Sequence, residues 1–327
     1  MSVLLDGKSP LLTAETAPER GARGSSVIRV RGLTMRYGRR EAVSGVDLDV
    51  GPGQIFAFLG PNGAGKTTTV EILEGYRRRT AGEVEVLGVD PARAGAEWRD
   101  RIGVVLQSCQ PEPELTVLET VRLYAGFYCR PLPPGQVLEL VGLGAEAGKR
   151  TEKLSGGQQR RLDVGLALVG DPDLVFLDEP TTGFDPAARR AAWRVIAGLR
   201  DLGKTVFLTT HYLDEADALA DRMAVIVDGR IVAEGPPSTI AGRAETSTVG
   251  FRVDGRGTRA WPRGWSRRVE ERDGRVELAS ADPLRDLAAL SAWAESVGCA
   301  VSELTVRRPS LEDVYLRLTG DIAPEQP

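Results

Sequence analysis

Apolar and polar positions alternate from Val27 to Tyr37 and again from Ala42 to Val50, and Gly82–Gly88 repeats the pattern. A period of two marks half-buried strands, so these three segments predict an antiparallel β layer. Four short runs differ in kind. Ile55–Leu59, Arg101–Gln107, Asp173–Asp178 and Lys204–Thr210 are nearly continuous in apolar residues, as strands buried on both faces are. Helical signals lie between them. Thr68–Leu73 is amphipathic, and Thr116 with Glu119 forms a capping box opening a helix through Tyr128, which Pro131, Pro133 and Pro134 end. A short helix over Gln136–Val141, a longer one over Gln159–Val169 and another over Tyr212–Arg222 follow. Met223–Ala233 reads as a hairpin turning at Asp228-Gly229, and Gly235-Pro236-Pro237 as a linker.

Strands alternating with helices predict an α/β core over residues 27–235, carrying the antiparallel layer and an inserted helical subdomain at about 108–165. Beyond it, strand Thr248–Val253, a hairpin over Arg268–Leu278, helix Pro283–Val297, strand Ala300–Val306 and helix Leu311–Leu318 predict a small C-terminal α+β module within 236–320. Ser310 with Asp313 is expected to cap the last helix. Residues 1–26 and 321–327 show no periodicity and are expected to be disordered tails.

A chain of 327 residues has room for these two units. Its net charge of −4 gives no electrostatic footprint for nucleic acid, and none is expected as a partner. Cys109, Cys129 and Cys299 form no Cys-x-x-Cys pair, which speaks against a zinc site or a disulfide framework. No apolar run reaches the roughly 18–20 residues that cross a bilayer, and the opening Met1–Asp6 breaks off too early for a signal peptide. A membrane role would therefore come through a separate chain. Arg252, Arg256, Arg259, Arg263, Arg267 and Arg268 surround Trp261 and Trp265; with Asp254, Glu270, Glu271 and Asp273 among them, the cluster is read as a solvated surface.

The chemistry starts at Gly60-Pro61-Asn62-Gly63-Ala64-Gly65-Lys66-Thr67-Thr68, which fits the G-x-x-x-x-G-K-[ST] P-loop between a predicted strand and helix. Its glycines let successive N–H groups converge on a phosphate at a helix N-terminus; Lys66 supplies charge to the β/γ-phosphates, and Thr67 a hydroxyl to Mg²⁺. Asp178-Glu179 ends an apolar strand, with Asp178 placed to reach Mg²⁺ and Glu179 to polarise an attacking water. Leu154-Ser155-Gly156-Gly157-Gln158 opens a helix, which is either an anion site or a plain cap. His211, the chain's one histidine, follows a buried strand, either touching phosphate or serving structure. Tyr37 lies just upstream of the P-loop and either stacks on a purine or packs.

Tyr37, the P-loop, Gln107, Leu154–Gln158, Asp178-Glu179, Gly183-Phe184-Asp185 and His211, in this order, closely resemble the ATP-binding subunit of an ABC transporter over roughly residues 27–235. The resemblance implies a P-loop NTPase core that binds ATP and Mg²⁺. It makes Tyr37 the adenine-stacking aromatic, Gln107 the loop that senses Mg²⁺ and the membrane partner, Glu179 the catalytic carboxylate and His211 the switch on the γ-phosphate. Ser155, Gly156, Gly157 and Gln158 become the signature completing the ATP site of the opposite subunit, with Asp185 in the loop beside it. A symmetric head-to-tail homodimer is implied, since no catalytic position is degenerate. Phe184 departs from the family, where Leu is commoner. Thr210–Asp217 and Pro309–Gly320 resemble drug-exporter ATPases of the daunorubicin-resistance type, which serve ABC-2 type permeases from the cytoplasmic face of the membrane. A soluble ABC ATPase acting on nucleic acid or ribosomes is the alternative. It usually has tandem cassettes, long coiled coils or zinc modules, and none is visible here.

Overall fold

The computed structural model describes residues 26–105, 112–242, 247–253, 261–262, 264–265, 269–272, 274–307 and 311–320. Gln107, Cys109, Ser310, the predicted tails apart from Ser26, and Asp254, Arg256, Arg259, Arg263, Arg267, Arg268 and Asp273 lie outside the described residues.

The first part of the chain forms β1 (Ile28–Tyr37), β2 (Arg40–Val50), β3 (Ile55–Leu59), α1 (Lys66–Leu73), β4 (Ala81–Val86), the single turn α2 (Ala96–Arg99) and β5 (Ile102–Val105). Next come α3 (Val117–Ala125), α4 (Pro134–Leu140), α5 (Gly156–Leu168), β6 (Leu174–Asp178), α6 (Pro186–Asp201), β7 (Thr205–Thr210), α7 (Leu213–Leu219), β8 (Arg222–Val227), β9 (Arg230–Gly235) and α8 (Pro237–Gly242). The last part holds β10 (Ser247–Val253), β11 (Val269–Arg272), β12 (Arg275–Ser280), α9 (Pro283–Val297), β13 (Val301–Arg307) and α10 (Leu311–Thr319).

The central sheet runs β5-β6-β7-β3-β8-β9, parallel except for the antiparallel edge strand β9. Its inner strands are mostly apolar because both faces are covered, with successive residues serving different cores. Phe56, Phe58, Phe176 and Phe207 face the antiparallel layer β2-β1-β4, whereas Ile55, Val175, Leu177, Val206 and Leu208 face α3 to α6. Phe207 anchors the first core, its ring 5.7 Å from Phe56, 5.7 Å from Phe58 and 5.8 Å from Phe176. The inserted helices α3, α4 and α5 pack on one another, and Thr116 and Glu119 close the predicted capping box. Gly126 caps α3, so the helix stops short of Tyr128.

Four features differ from what the sequence pattern predicts. α6 was not predicted, although Asp185 caps it, Pro186 opens it and Ala192, Ile196 and Leu199 make its buried stripe. Past the expected linker, α8 forms and buries Ile240 against Leu311 and Val314 of α10. α10 was assigned to the C-terminal module, but its apolar stripe is buried against α7, α8 and β8 of the core. The module itself is the sheet β11-β12-β10-β13 with α9 on one face. Trp265, 3% exposed, and Trp261, whose ring stacks 5.1 Å from Trp293, belong to its core rather than to a solvated surface.

Candidate functional site

Register decides what meets at the sheet's carboxyl edge. Leu59 pairs with Thr210 across β3 and β7, and Asp178 with Thr209 across β6 and β7. Three adjacent strands thus end level, and the next residues are Gly60, Glu179 and His211. Ligands bind at this edge in open α/β sheets.

The loop from Gly60 to α1 is held too tightly for side chains at two points. A Cβ on Gly60 would lie 2.3 Å from the Ile226 carbonyl, and one on Gly65 2.5 Å from that of Ala42. Gly65 also takes φ +106°, which turns the chain into the helix and leaves the first N–H groups facing outward. Lys66, 7% exposed, folds back so that Nζ donates to the carbonyls of Gly60 (2.6 Å) and Pro61 (3.2 Å). Burial lowers its pKa, while Glu179 and then Asp178 oppose the shift by their charge. Thr67 and Asn62 are exposed beside it, and Thr68 lies 3.4 Å from the Tyr37 hydroxyl. Tyr37 is 41% exposed, with the Arg77 guanidinium 5.3 Å from its ring centroid. It is therefore an accessible ring beside the loop, not a core tyrosine.

On the facing strand Thr209, a residue the sequence reading passed over, organises both carboxylate positions. Its hydroxyl donates to Asp178 Oδ1 and accepts from the Glu179 N–H at 3.1 Å. Glu179 sits at φ +46°, a left-handed conformation rare for a non-glycine residue and concentrated at functional sites. Its Oε1 is 3.4 Å from His211 Nδ1, and its Oε2 accepts from the Thr182 hydroxyl at 3.1 Å. Arg160 was also missed. From α5 its guanidinium donates to the carbonyls of Asp178 (3.0 Å) and Pro180 (3.1 Å), tying the signature helix to the carboxylate strand. No local pattern announces either role: Thr209 meets Asp178 through the register of β6 and β7, and Arg160 meets the same strand from a packed helix.

Lys66, Asp178, Glu179 and His211 are thus gathered at one edge, with Thr67, Thr68 and Tyr37 alongside. The signature bonds within its own helix start and to Glu146. Ser155 caps α5, Gln158 returns the bond to the Ser155 N–H at 3.0 Å, and the Gln158 amide donates to Glu146 at 2.9 Å. Ser155 and Gly156 are exposed. Asp185 caps α6, and the N–H groups of Ala188 and Ala187 hold its carboxyl below the usual range.

Residues 43–182 match the ABC transporter family, and residues 248–310 match the C-terminal domain of ABC transporter domain-containing proteins. A fluoroquinolones export ATP-binding protein of Mycobacterium tuberculosis is 38% identical over 91% of this chain and 94% of its own length. A Nod factor export ATP-binding protein of Ralstonia nicotianae is 36% identical over 94% of this chain and 98% of its own. The daunorubicin resistance ATP-binding protein DrrA2 of Streptomyces coeruleorubidus is 36% identical over 90% and 95%. Among solved structures, a dimeric ATP-binding cassette in a post-hydrolysis state with ADP and Pi is 26% identical, with a TM-score of 0.57 over 64% of this chain and 98% of that one. Fold, site and similarity over nearly the whole length agree: the chain belongs to the ATP-binding subunits of ABC transporters, ATPases whose hydrolysis is coupled to transport.

Proposed function

We propose that the chain is the motor of an exporter for drugs, antibiotics or other hydrophobic compounds, acting as a head-to-tail homodimer on a separate ABC-2 type permease at the cytoplasmic face of the membrane. The observation that carries this reading is the division of the site. The phosphate loop and both carboxylates share one edge, while the Ser155-Gly156 helix start is exposed and its side-chain bonds stay within its own cap and to Glu146. A second copy brings the two together. In this reading Lys66 holds the β/γ-phosphates, the N–H groups of Gly60–Thr68 cradle them, and Tyr37 stacks on the adenine. Glu179 polarises the water, and His211 holds the γ-phosphate against it.

The hydroxyl of Thr67, the carboxylate of Asp178 and the amide of Gln107 are hard oxygen donors, as Mg²⁺ requires. Among the described residues no cluster of three or more acidic, histidine or cysteine side chains is fit to hold a metal alone. That suits an ion arriving with the nucleotide, where it would neutralise phosphate charge.

The relatives named for fluoroquinolone export and daunorubicin resistance support drugs as cargo, and the Nod factor relative widens the class. Among the described residues no helix is long and apolar enough to cross a membrane, so the transport path requires another chain. A groove of about 540 Å³ between the core and the inserted helices is lined by Tyr76, Tyr124 and Tyr128 and by the charged residues Glu74, Arg99 and Asp163. Tyr76 (71%), Leu123 (47%) and Phe127 (73%) are exposed near it. Apolar surface of this kind at the P-loop helix fits a cytoplasmic helix of the permease.

Co-expression with a candidate ABC-2 type permease tests the reading. The chain should move to the membrane fraction, and Phe127→Asp should abolish the move without impairing ATP binding. A chain that stays soluble and sediments with ribosomes or nucleic acid in a salt-sensitive way is the soluble machine instead.

A further inference from the structure

Glu215, in the first turn of α7, is 0% exposed. Its Oε1 accepts from the hydroxyl of Thr181 at 2.9 Å and from the indole N–H of Trp193 at 3.1 Å. Its Oε2 is buried, with no hydrogen-bond partner among the described residues. Burial raises its pKa; the hydroxyls of Thr210 and Thr181 and the Trp193 indole oppose the shift, and Asp214 adds to it. A buried carboxylate with one oxygen unpaired carries a desolvation cost that its two hydrogen bonds only partly offset. Packing alone does not account for it.

The bonds show what it holds. Thr181 lies two residues after Glu179, in the loop that runs on to Asp185. Thr210 directly precedes His211, and its hydroxyl accepts from the Tyr212 N–H at 3.0 Å. Trp193 stands on α6, the helix that Asp185 caps. Carried on α7 four residues after His211, this one carboxylate therefore joins the His211 segment to the segment after Glu179 and to the helix that follows the Asp185 loop.

We propose that Glu215 is a positioning residue for hydrolysis, setting the Glu179–His211 pair by tethering the two segments that carry it. The Glu179 Oε1 to His211 Nδ1 separation of 3.4 Å spans two separate loops, and Glu179 is in a strained backbone conformation that persists only when its surroundings over-determine it. Thr181 and Glu215 supply that determination from behind, without touching nucleotide. The inference rests on the proposed roles of Glu179 and His211.

The test uses the full chain, reading steady-state ATPase, affinity for a fluorescent ATP analogue and the midpoint of urea unfolding. Glu215→Leu fills the buried space but accepts no hydrogen bond. It should lower kcat by about tenfold or more, since small misplacements of reacting groups cost up to about a hundredfold. Analogue affinity should stay near wild type; the unfolding midpoint should fall modestly, because the Thr181 hydroxyl and the Trp193 N–H lose their acceptor, but the chain should remain folded under assay conditions. Glu215→Gln keeps an acceptor for Thr181 and Trp193 and should retain most of the turnover. Thr181→Val breaks one tether isosterically and should act like Glu215→Leu, with Thr181→Ser restoring the rate. In a Glu179→Gln background, Glu215→Leu should add little, because the pair it serves is already broken. Wild-type kcat in both Glu215→Leu and Thr181→Val would overturn the proposal, as would a loss fully additive with Glu179→Gln. If Glu179→Gln itself turns over ATP like wild type, the catalytic reading fails instead, which separates the two failures.

Discussion

Glu74 closes α1 at the floor of the groove, 7% exposed, and burial, then Asp178, then Glu71 push its carboxyl from 4.5 up to about 8. Between those values the folded chain holds a proton that the unfolded chain has released. Stability from this group is therefore intact below about pH 4.5 and lost as pH rises toward 8. At about 1.4 kcal/mol per pH unit, the loss is roughly 3 kcal/mol by pH 7 and roughly 5 kcal/mol above pH 8. Water entering from the groove reduces these ceilings, so about 2 kcal/mol at pH 7 is the working figure. Glu74→Gln keeps the shape and removes the titration. It should stabilise the chain by that amount at pH 7, by more at pH 8.5 and by only about 0.5 kcal/mol at pH 5, in urea unfolding followed by tryptophan fluorescence. A difference that stays constant with pH, or grows toward acid, would refute the reasoning, because it would place the cost of Glu74 in packing rather than in ionisation.

Gly65→Ala should cost about 2 kcal/mol or more and weaken ATP binding, since its Cβ meets the Ala42 carbonyl at 2.5 Å and φ is +106°; urea unfolding and nucleotide titration check both parts. Mixing inactive Lys66→Ala and Ser155→Arg chains should restore some ATPase activity, because half of each mixed dimer's sites combine an intact P-loop with an intact signature. No recovery despite demonstrated mixed dimers argues against head-to-tail pairing. Tyr76→Asp should reduce permease recruitment in a membrane-fraction assay, as proposed for Phe127→Asp, while leaving the unfolding midpoint within about 0.5 kcal/mol, because Tyr76 is 71% exposed.

Much of the core was legible because its signals are local. Ile55–Leu59 followed by the glycine loop and α1 could be read from hydrophobic run and φ-permissive residues alone, and so could the Thr116–Glu119 box. α6 carried equally local signals in Asp185, Pro186 and the spacing of Ala192, Ile196 and Leu199, and was passed over. The placement of α10 was a different matter. Its stripe of Leu311 and Val314 announces a buried face but not which of two cores buries it, and that choice is tertiary. Trp261 and Trp265 looked exposed because arginines flank them in sequence, whereas in the fold they meet Phe251 and Trp293 from other elements. At the site, Lys66, Asp178, Glu179 and His211 were named from motif and family likeness. Thr209, Arg160 and Glu215 act through bonds across separate segments, and single-chain spacing does not encode such bonds.

The central claim is that Glu179 polarises the attacking water while the P-loop holds ATP without it. Its most direct test compares ATP binding and steady-state hydrolysis by the wild-type and Glu179→Gln chains in the presence of the permease. Affinity should stay within about twofold, and turnover should fall roughly 10²–10⁴-fold, the range that a positioned general base supplies. Wild-type-like turnover by Glu179→Gln would contradict the account.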